Sequence, residues 1–489
     1  KSKTIKPHKV LVNWGVEEVR VLNNMGIRAP SPISKRYDWP GMYTPFEHQR
    51  KVAEFLTTRK RAFNFSDMGT GKTASAAWAA DFLMNQKLVN RVLIICPMSI
   101  MDCAWREDLF NTVMHRRVDV AYGTPAKRKK IIEGDAEFVI INFDGVGIAI
   151  NEIKKGGFDL IIVDEASSMK NPETKRWKYL NSICKPHVWL WMMTGTPAAN
   201  SPEDAYGLAK LVSPDRVPRT KGGFKCKVMY KINQYKWLPK PNATEIVHDC
   251  LQPAIRFTKD QCLDLPDMLY EKREVPMSAQ QKKYYDMMRK KMILVSDGEE
   301  VTSANAAVNL NKLLQISSGG VLTDKKEVLE FDVTPRYKVL KEIIAETSKK
   351  VLVFVQHTHA IDSVSEKLRN DGLDVEVING AVKASTRSDI IKRFQTTNKP
   401  QVLVIQPQAA AHGVTLTAAD TVVWWGPTSS LEIYEQANAR VHRSGQDSKC
   451  TVFQLQGSAA ERHLYRMLDA RVDIHGKIMK LYKEMLDAE

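Results

Sequence analysis

The chain has 489 residues and a net charge of +16, and hydrophobic residues make up 43% of it. This length exceeds what one hydrophobic core usually supports, so we predict more than one domain. The sequence contains no run close to the ~20 apolar residues of a membrane span and no secretory signal, so we expect a cytoplasmic protein. The positive charge favours a polyanionic partner, with nucleic acid preferred over an acidic membrane.

The chain begins with residues 1–40, in which Pro30, Pro32 and Pro40 indicate a short leader or appendage on the domain that follows. Two later blocks, residues 41–213 and 334–489, repeat one order of short apolar strand, turn and longer helical pattern. This order predicts an α/β fold with two parallel sheets covered by helices. The strands predicted for the first block are 61–65, 92–96, 138–141, 160–163 and 188–193. Those predicted for the second block are 351–355, 375–378, 402–405, 421–425 and 451–455.

Between the blocks lies a segment of different character, residues 214–333, which we predict to be a basic and helical insertion. Its helical patterns cover residues 279–292 and 304–316. Its start is rich in lysine and aromatic residues, namely Lys221, Lys225, Lys227, Tyr230, Lys231, Tyr235, Lys236 and Trp237. The lysines form either a solvated face or a nucleic-acid contact, and both interpretations stay open. Interleaved aromatic rings stack on unpaired bases or pack into a core, and for Tyr230 and Trp237 we favour the core.

A glycine-rich loop follows the first predicted strand, and a helical pattern follows the loop. The loop reads Ser66-Asp67-Met68-Gly69-Thr70-Gly71-Lys72-Thr73. This order predicts phosphate binding, because glycines let the backbone N–H groups approach an anion at the N-terminus of a helix. We expect residues 68–71 to surround the phosphates of ATP, Lys72 to reach the β- and γ-phosphates, and Thr73 to bind Mg²⁺.

The predicted strand 160–163 ends in two acidic residues, Asp164 and Glu165. In a fold with a phosphate loop, the two carboxylates of such a pair have different roles, one in binding the metal and one in activating water. Asp164 would bind Mg²⁺, directly or through water, and Glu165 would orient and deprotonate the attacking water. The next predicted strand is followed by Thr194 and Thr196, whose hydroxyl groups would sense the γ-phosphate. Together these motifs predict an enzyme that hydrolyses ATP.

The ordered motifs resemble those of helicase superfamily two, and within it the Swi/Snf-type DNA-dependent ATPases. Residues 45–49, Pro-Phe-Glu-His-Gln, are similar to the Q motif, and residues 96–99, followed by Trp105, are similar to motif Ia. Residues 436–446, Gln-Ala-Asn-Ala-Arg-Val-His-Arg-Ser-Gly-Gln, are similar to motif VI. The resemblance covers about residues 41–470. It implies two RecA-like lobes that hydrolyse ATP in the cleft between them.

The same resemblance implies roles for particular residues. Gln49 would read the adenine of ATP, Arg440 and Arg443 would bind its phosphates, and Gln436 would join the two threonines in coupling hydrolysis to DNA. The implied contacts with DNA are Pro97, Ser99, Asn142, Gln356, His357, His412 and Thr415. Backbone and short polar groups at strand ends bind phosphate rather than base edges, so these contacts suit DNA of any sequence.

By resemblance, the protein is a monomeric motor that uses ATP and Mg²⁺ and tracks on duplex or branched DNA. The chain departs from the family where Ser66 replaces the first glycine of the phosphate loop, and where residues 409–416 read Ala-Ala-Ala-His-Gly-Val-Thr-Leu at motif V. Gly426 also stands where the family has aspartate. With these departures, the motifs resemble those of the compact members of the family that bacteriophages and some bacteria carry. Such a protein would act in the bacterial cytoplasm.

Two other functions remain open from the sequence. The first is a strand-separating helicase of repair or recombination, which would share every residue of the ATP site. The second is a catalytically silent DNA-binding or recruitment module. The complete set of ATP-site residues argues against the silent module, whereas no sequence feature identifies the wedge that strand separation requires.

Overall fold

The computed structural model describes residues 11–195, 197–198, 201–232, 237–262, 268–298, 303–322, 327–410, 414–443 and 445–470. Contacts within the chain divide it into two compact units, Lys1–Cys262 and Leu263–Glu489. In the part of the chain that is described, no helix combines the length and the apolar character needed to cross a bilayer.

The first unit is an α/β structure. Its described strands are β1 (Arg61–Asn64), β2 (Val92–Cys96), β3 (Val118–Val120), β4 (Phe138–Asn142), β5 (Leu160–Asp164), β6 (Trp189–Met193), β7 (Met229–Lys231), β8 (Trp237–Pro239) and β9 (Ala254–Ile255). Its described α-helices are α1 (Val16–Asn24), α2 (Ile33–Arg36), α3 (Glu47–Thr57), α4 (Lys72–Asn85), α5 (Glu107–Thr112), α6 (Pro125–Glu133), α7 (Phe143–Ile148), α8 (Ile150–Lys155), α9 (Lys175–Ile183), α10 (Ala205–Val212), α11 (Lys221–Val228), α12 (Ala243–Cys250) and α13 (Lys259–Cys262). Short 3-10 or π-helical turns occupy Met98–Ile100, Met101–Arg106, Ala166–Met169, Pro202–Asp204 and Pro214–Arg216.

Seven of these strands form one sheet in the order β3-β4-β2-β5-β6-β1-β9, and every pairing is parallel. All residues of β2, β5 and β6 are buried, as expected for strands covered on both faces. Alternate strand residues enter two separate cores, one with α1 to α5 and one with α6 to α12. Since parallel strands all end at the same edge, the loops after β1, β6, β5, β2 and β4 share that edge.

The predicted leader packs against the first core through its later residues. Tyr37 donates a hydrogen bond from its hydroxyl to Asp81 Oδ2 of α4 at 2.6 Å. The indole N–H of Trp78, also in α4, donates to the carbonyl of Pro40 at 3.0 Å. Residues that precede the sheet therefore support the helix that follows the phosphate loop.

The second unit has its own parallel sheet. The described strands of this unit are β10 (Met268–Glu274), β11 (Gly320–Leu322), β12 (Val328–Glu330), β13 (Lys350–Phe354), β14 (Val375–Ile378), β15 (Val402–Ile405), β16 (Ala419–Trp424) and β17 (Cys450–Gln456). Its described α-helices are α14 (Ala279–Gly298), α15 (Ser303–Ser318), α16 (Thr334–Glu346), α17 (Thr358–Asn370), α18 (Ala384–Thr396), α19 (Pro407–Ala410), α20 (Leu431–Asn438) and α21 (Ala459–Asp469). The sheet runs β10-β17-β16-β13-β15-β14, with all pairs parallel.

The prediction of two parallel sheets covered by helices is confirmed, and each predicted strand is present with small shifts at its ends. The segment 214–333, predicted as an insertion, contributes to both units. Strand β9 pairs with β1 in the first sheet, and β10 pairs with β17 in the second. The boundary between the units, after Cys262, therefore lies inside this segment.

Candidate functional site

The phosphate loop connects the end of β1 to the first residue of α4. Gly69 and Gly71 have φ angles of +83° and +76°, a left-handed conformation that a Cβ atom disfavours. Gly71 is the N-cap of α4, a helix of 14 residues. The positive end of the helix dipole therefore faces the loop, which suits an anion.

Lys72 is the first residue of α4, and its side chain contacts the start of the loop. Its ammonium Nζ donates to the carbonyl oxygens of Ser66 at 2.8 Å and Asp67 at 3.1 Å. The Thr70 hydroxyl donates to the Asp67 carbonyl at 2.8 Å, which closes the turn. Two backbone carbonyls of the loop therefore bind the Lys72 ammonium group, and Thr73 is the next residue of α4. This arrangement can neutralise an anionic phosphate chain.

Ser66, the residue that departs from the family pattern, ties the loop to the rest of its unit. Its side chain is buried, and its hydroxyl accepts a hydrogen bond from the N–H of Phe257 at 3.2 Å. Asp67 exchanges further bonds with the same segment, since its N–H donates to the Phe257 carbonyl at 2.9 Å. A glycine could not make the side-chain contact, so the serine fastens the loop to residues that follow β9.

Helix α3 supports the loop through two neighbouring side chains. His48 Nε2 lies 2.8 Å from the Thr70 carbonyl oxygen, and Gln49 donates to that oxygen from Nε2 at 3.3 Å. The amide oxygen of Gln49 accepts from the N–H of Phe46 at 2.9 Å. Gln49 therefore contacts the phosphate loop itself. His48 was missed by sequence reasoning, although its place beside Gln49 in the Q motif was a usable signal.

The acidic pair stands where β5 ends. The Asp164 side chain is buried, and its two oxygens accept different hydrogen bonds, Oδ1 from the Glu165 N–H at 2.9 Å and Oδ2 from the Trp105 indole N–H at 2.9 Å. Glu165 has a φ angle of +51°, which is uncommon for a residue with a Cβ atom. Strained residues of this kind cluster at functional sites. The turn directs the chain away from the strand directly after Asp164.

Thr194 joins the acidic pair to the phosphate loop. It follows β6, which lies between β5 and β1, and its N–H donates to the Asn64 carbonyl at the end of β1 at 3.1 Å. A Cβ atom at the next residue, Gly195, would lie 3.8 Å from Met68 Cγ. The ends of three adjacent strands thus bring together the loop, Thr194 and Asp164. Thr196 lies outside the described residues.

The donor set of this edge fits Mg²⁺ bound together with ATP. Among the described residues, no group of three or more His, Cys, Asp or Glu side chains could enclose a metal ion. Mg²⁺ is commonly held by one or two protein oxygens and by the phosphates of a nucleotide, so it needs no such enclosure. The Asp164 carboxylate and the Thr73 hydroxyl supply hard oxygen ligands of this kind, beside a loop suited to phosphate.

The nucleic-acid contacts implied for the first unit follow strands β2 and β4. Pro97 and Ser99 come directly after β2, and Asn142 ends β4, opposite Cys96 in the parallel register. The Asn142 amide oxygen accepts from Arg128 Nη1 at 2.6 Å, and Arg128 is buried. Arg128, which sequence reasoning missed, fixes the orientation of this amide. These residues share the edge of the ATP-site residues, on the neighbouring strands.

In the second unit, Gln356 and His357 follow β13. Gln406, which follows the adjacent β15, donates from Nε2 to the Gln356 carbonyl at 3.5 Å and accepts from the Gly380 N–H at 3.2 Å. Gln406 thus connects three strand ends, and sequence reasoning missed it. Thr415 lies between β15 and β16, whereas His412 lies outside the described residues.

His357 stacks on His359, with ring centroids 5.6 Å apart and an interplanar angle of 7°. Burial, followed by the nearby His359, lowers the pKa of His357 from its ordinary 6.5 to about 4. The ring is therefore neutral near pH 7. Near pH 7, His357 could therefore bind a phosphate only through a hydrogen bond from a neutral imidazole, and it would contribute no positive charge.

The arginines of motif VI follow α20. Arg440 is buried, and its carbonyl accepts from the Leu416 N–H at 2.9 Å. Gln446 donates from its amide to the Ala419 carbonyl at 2.8 Å and to the Val441 carbonyl at 3.3 Å, which fastens this segment to β16. Gln436, on α20, is buried and donates to Glu432 Oε1 at 3.2 Å. Arg443 is partly exposed.

In the segment rich in lysine and aromatic residues, residues 221–237, the two predicted core residues Tyr230 and Trp237 differ in burial. Tyr230 lies in the hairpin of β7 and β8 and is 44% exposed, so the interpretation of Tyr230 as a core residue is wrong. Tyr230 and the next residue, Lys231, are both exposed, and of the three residues of β7 only Met229 is buried. Trp237 is half-buried against the core, where Lys225 Nζ lies 5.0 Å from its ring centroid. Tyr235 and Lys236 lie outside the described residues.

Comparisons with known proteins identify the family to which the chain belongs. Residues 48–319 match the SNF2-related domain, and residues 335–445 match the helicase conserved C-terminal domain. An uncharacterized ATP-dependent helicase of Mycoplasma genitalium is 27% identical over 400 residues, which cover 80% of this chain and 37% of that protein. Chromodomain-helicase-DNA-binding protein 1-like of Mus musculus is 26% identical over 440 residues, which cover 85% of this chain and 47% of that protein. The chain therefore spans less than half the length of these curated relatives.

Among solved structures, a Sulfolobus solfataricus SWI2/SNF2 ATPase core in complex with dsDNA is similar to this chain. The two share 20% sequence identity, and the match covers 92% of this chain and 94% of that one, with a TM-score of 0.44. The same core domain in a second structure has 21% identity and a TM-score of 0.43.

Proposed function

The chain belongs to the SNF2-related domain family, and from this premise we propose that it is a DNA-dependent ATPase that moves along duplex DNA. One observation carries the proposal. The ends of β1, β6 and β5 bring the Lys72 loop, Thr194 and Asp164 to one place in the first unit. A phosphate-binding cation and a carboxylate at adjacent strand ends are the parts that nucleotide hydrolysis needs.

In the proposed mechanism, the phosphate loop, Lys72 and the N-terminus of α4 bind the β- and γ-phosphates of ATP. Thr73 and Asp164 would hold Mg²⁺, which neutralises charge on the phosphates when bound. Glu165 orients the attacking water and accepts its proton, so its carboxylate acts as the general base. Gln49 serves adenine recognition, while its bond to the Thr70 carbonyl keeps the loop in shape.

The DNA contacts that we propose are non-specific in sequence. In the first unit, Pro97, Ser99 and Asn142 would bind DNA phosphates. In the second unit, the corresponding contacts would be Gln356, His357, His412 and Thr415. Polar groups at strand ends and a net charge of +16 support this role, because phosphate contacts supply affinity without reading bases. For Arg440 and Arg443 we propose binding to the phosphates of ATP, and for Gln436 coupling.

An ATPase comparison with four nucleic acids tests the proposal. We expect duplex DNA to stimulate hydrolysis most, with less stimulation by single-stranded DNA, forked DNA and RNA. Lys72→Ala should lower the stimulated rate by at least about 100-fold, since it removes a charge aimed at the transferring phosphoryl group. Lys35→Ala, an exposed lysine of α2, is the matched control and should keep the rate. Absence of turnover with every nucleic acid would instead indicate a silent binding module.

We also propose that the motor acts as a monomer in the cytoplasm, of a bacterial host if a bacteriophage encodes it. The resemblance to compact Swi/Snf-type proteins supports this proposal. Light scattering with and without duplex DNA measures the number of chains in each particle. A stable dimer in both conditions would contradict the monomeric motor.

A further inference from the structure

We propose that Trp105 is a positioning residue that fixes the Asp164 carboxylate for Mg²⁺ and links it to the segment that contacts DNA. This inference rests on the proposed function, and it adds the route by which DNA would influence the ATP site. It concerns the first unit alone. The contact joins residues 59 positions apart in the chain.

The contact itself is well defined. The Trp105 indole N–H donates to Asp164 Oδ2 at 2.9 Å, and the Trp105 side chain is completely buried. The other carboxylate oxygen, Oδ1, accepts from the Glu165 N–H at 2.9 Å. One donor on each oxygen fixes the rotation of the carboxylate plane. Partners of this kind orient metal ligands and tune their affinity for the ion.

The local backbone explains why Trp105 points at Asp164. The chain leaves β2 at Cys96, forms a 3-10 turn over Met98–Ile100, and continues as a π-helical turn over Met101–Arg106. A π turn is rare, and it is found frequently at functional sites. Because β2 pairs directly with β5, the turn lies beside the strand that ends in Asp164.

The π turn directly follows the 3-10 turn that contains Ser99, one of the residues proposed to bind DNA. Pro97 and Ser99 precede the π turn by a few residues, and Ile100, Met101 and Trp105 anchor the segment in the core. In this proposal, a displacement of residues 97–99 on binding a DNA phosphate reaches the indole through the buried residues of the turn. The indole then changes the orientation of Asp164. DNA thereby alters the metal site without contacting ATP.

The test compares two tryptophan variants. Trp105→Phe keeps an aromatic ring in the core but removes the N–H donor. Trp191→Phe is the matched control, because Trp191 is equally buried and its indole N–H donates to the Arg59 carbonyl at 3.1 Å, away from the acidic pair. Mn²⁺ serves as the probe for the metal, and its binding to protein with a non-hydrolysable ATP analogue is measured by electron paramagnetic resonance. This readout requires no turnover.

We expect Trp105→Phe to weaken Mn²⁺ binding by about 10–100-fold, the usual effect of removing such a partner, whereas Trp191→Phe leaves it unchanged. At saturating Mg²⁺, Trp105→Phe should also lose part of its stimulation by duplex DNA while retaining the wild-type affinity for DNA. Equal Mn²⁺ affinity in the two variants overturns the inference. Should the phenylalanine variant unfold, Trp105→Met, with its adaptable apolar side chain, takes its place.

The outcomes separate this inference from the proposed function. If wild-type protein lacks ATP turnover with any DNA, the proposed function fails, and the Mn²⁺ measurement still decides the role of Trp105. If wild-type protein is a DNA-stimulated ATPase but both variants match it in Mn²⁺ affinity and stimulation, the inference alone fails.

Discussion

Gly71 shows how one residue governs the phosphate loop. Its φ angle is +76°, and a Cβ atom added there would lie 2.0 Å from Gln49 Nε2. We therefore expect Gly71→Ala to displace Gln49 and weaken nucleotide binding by at least about 10-fold, the equivalent of roughly 1–3 kcal/mol of backbone strain. Titration with a fluorescent ATP analogue measures the change. Gly222→Ala, with no atom near the added Cβ, is the control, and equal affinities would contradict the account.

Glu165, in the left-handed turn after β5, is the residue that we propose as the general base. Glu165→Gln removes the general base but keeps the size of the side chain. ATP hydrolysis should fall by about 100-fold or more, in line with the usual contribution of general-base catalysis. Binding of the ATP analogue should persist, because the phosphates are bound by other residues. A variant that hydrolyses ATP at the wild-type rate would remove Glu165 from the mechanism.

The sequence allowed the residues of the ATP site to be proposed, because they follow one another in short motifs beside predicted strands. It did not reveal their supporting partners. Trp105, in the turn after β2, reaches Asp164 because β2 and β5 are neighbours in the sheet, and Arg128 reaches Asn142 from α6, the helix that precedes β4. That neighbourhood is a property of strand order, which local patterns do not contain. Gln406 was missed for the same reason, because its contacts join the ends of β13, β14 and β15.

Among the elements, the inner strands of the two large sheets and the edge strand β14 could be predicted, whereas the other edge strands could not. Strands such as β2 and β5 are continuous apolar runs, buried on both faces. The missed strands β3, β9 and β10 stand at sheet edges. Strand β10 reads Met-Leu-Tyr-Glu-Lys-Arg-Glu and is mostly exposed. Charged residues protect an edge from pairing with other chains, and they also hide the strand from a search for apolar runs.

Helices α16 and α21 meet at a buried ion pair in the second unit. Glu461 Oε2 accepts from Arg336 Nη2 at 2.8 Å and from the Gly457 N–H at 2.8 Å, and it helps cap α21. Arg336 also donates to the Trp425 carbonyl at the end of β16. Both charged side chains are almost completely buried. The pair therefore ties two helices and a strand end together.

Removal of one partner of this pair should destabilise the second unit. We expect Glu461→Ala to lower its free energy of unfolding by about 3–5 kcal/mol, because Arg336 would remain buried without a counter-charge. Glu366→Ala, an exposed glutamate of α17, should change it by less than about 0.5 kcal/mol. Urea denaturation followed by circular dichroism measures both. Equal stability of the two variants would show that the pair contributes little.

His357, at the start of α17, makes the stability of the second unit depend on pH. Its pKa is about 4 in the folded protein and close to 6.5 in an unfolded chain. Between these values the unfolded state binds more protons, so stability is complete above about pH 6.5 and falls as the pH is lowered towards 4. His357→Gln should lose less stability across this window. An identical loss in both proteins by urea denaturation would refute the role of His357.

At the scale of the molecule, the two units contribute different parts of the proposed motor. The phosphate loop and the acidic pair belong to the first unit, and the motif VI arginines belong to the second. The chain spans less than half the length of these two curated relatives, and its own matches are to the SNF2-related domain and the helicase conserved C-terminal domain. The altered motif V belongs to the second unit, and we propose that movement along DNA depends on it.

Displacement of a triplex-forming strand from a long duplex tests the central claim most directly. We expect the wild-type protein with ATP to displace the third strand after a delay that grows with its distance from the duplex end, and Lys72→Ala to displace none. A forked duplex assayed beside it should keep its strands paired. Duplex-stimulated ATP hydrolysis without triplex displacement, or displacement that needs no ATP, would contradict translocation. Separation of the forked strands would favour a strand-separating helicase.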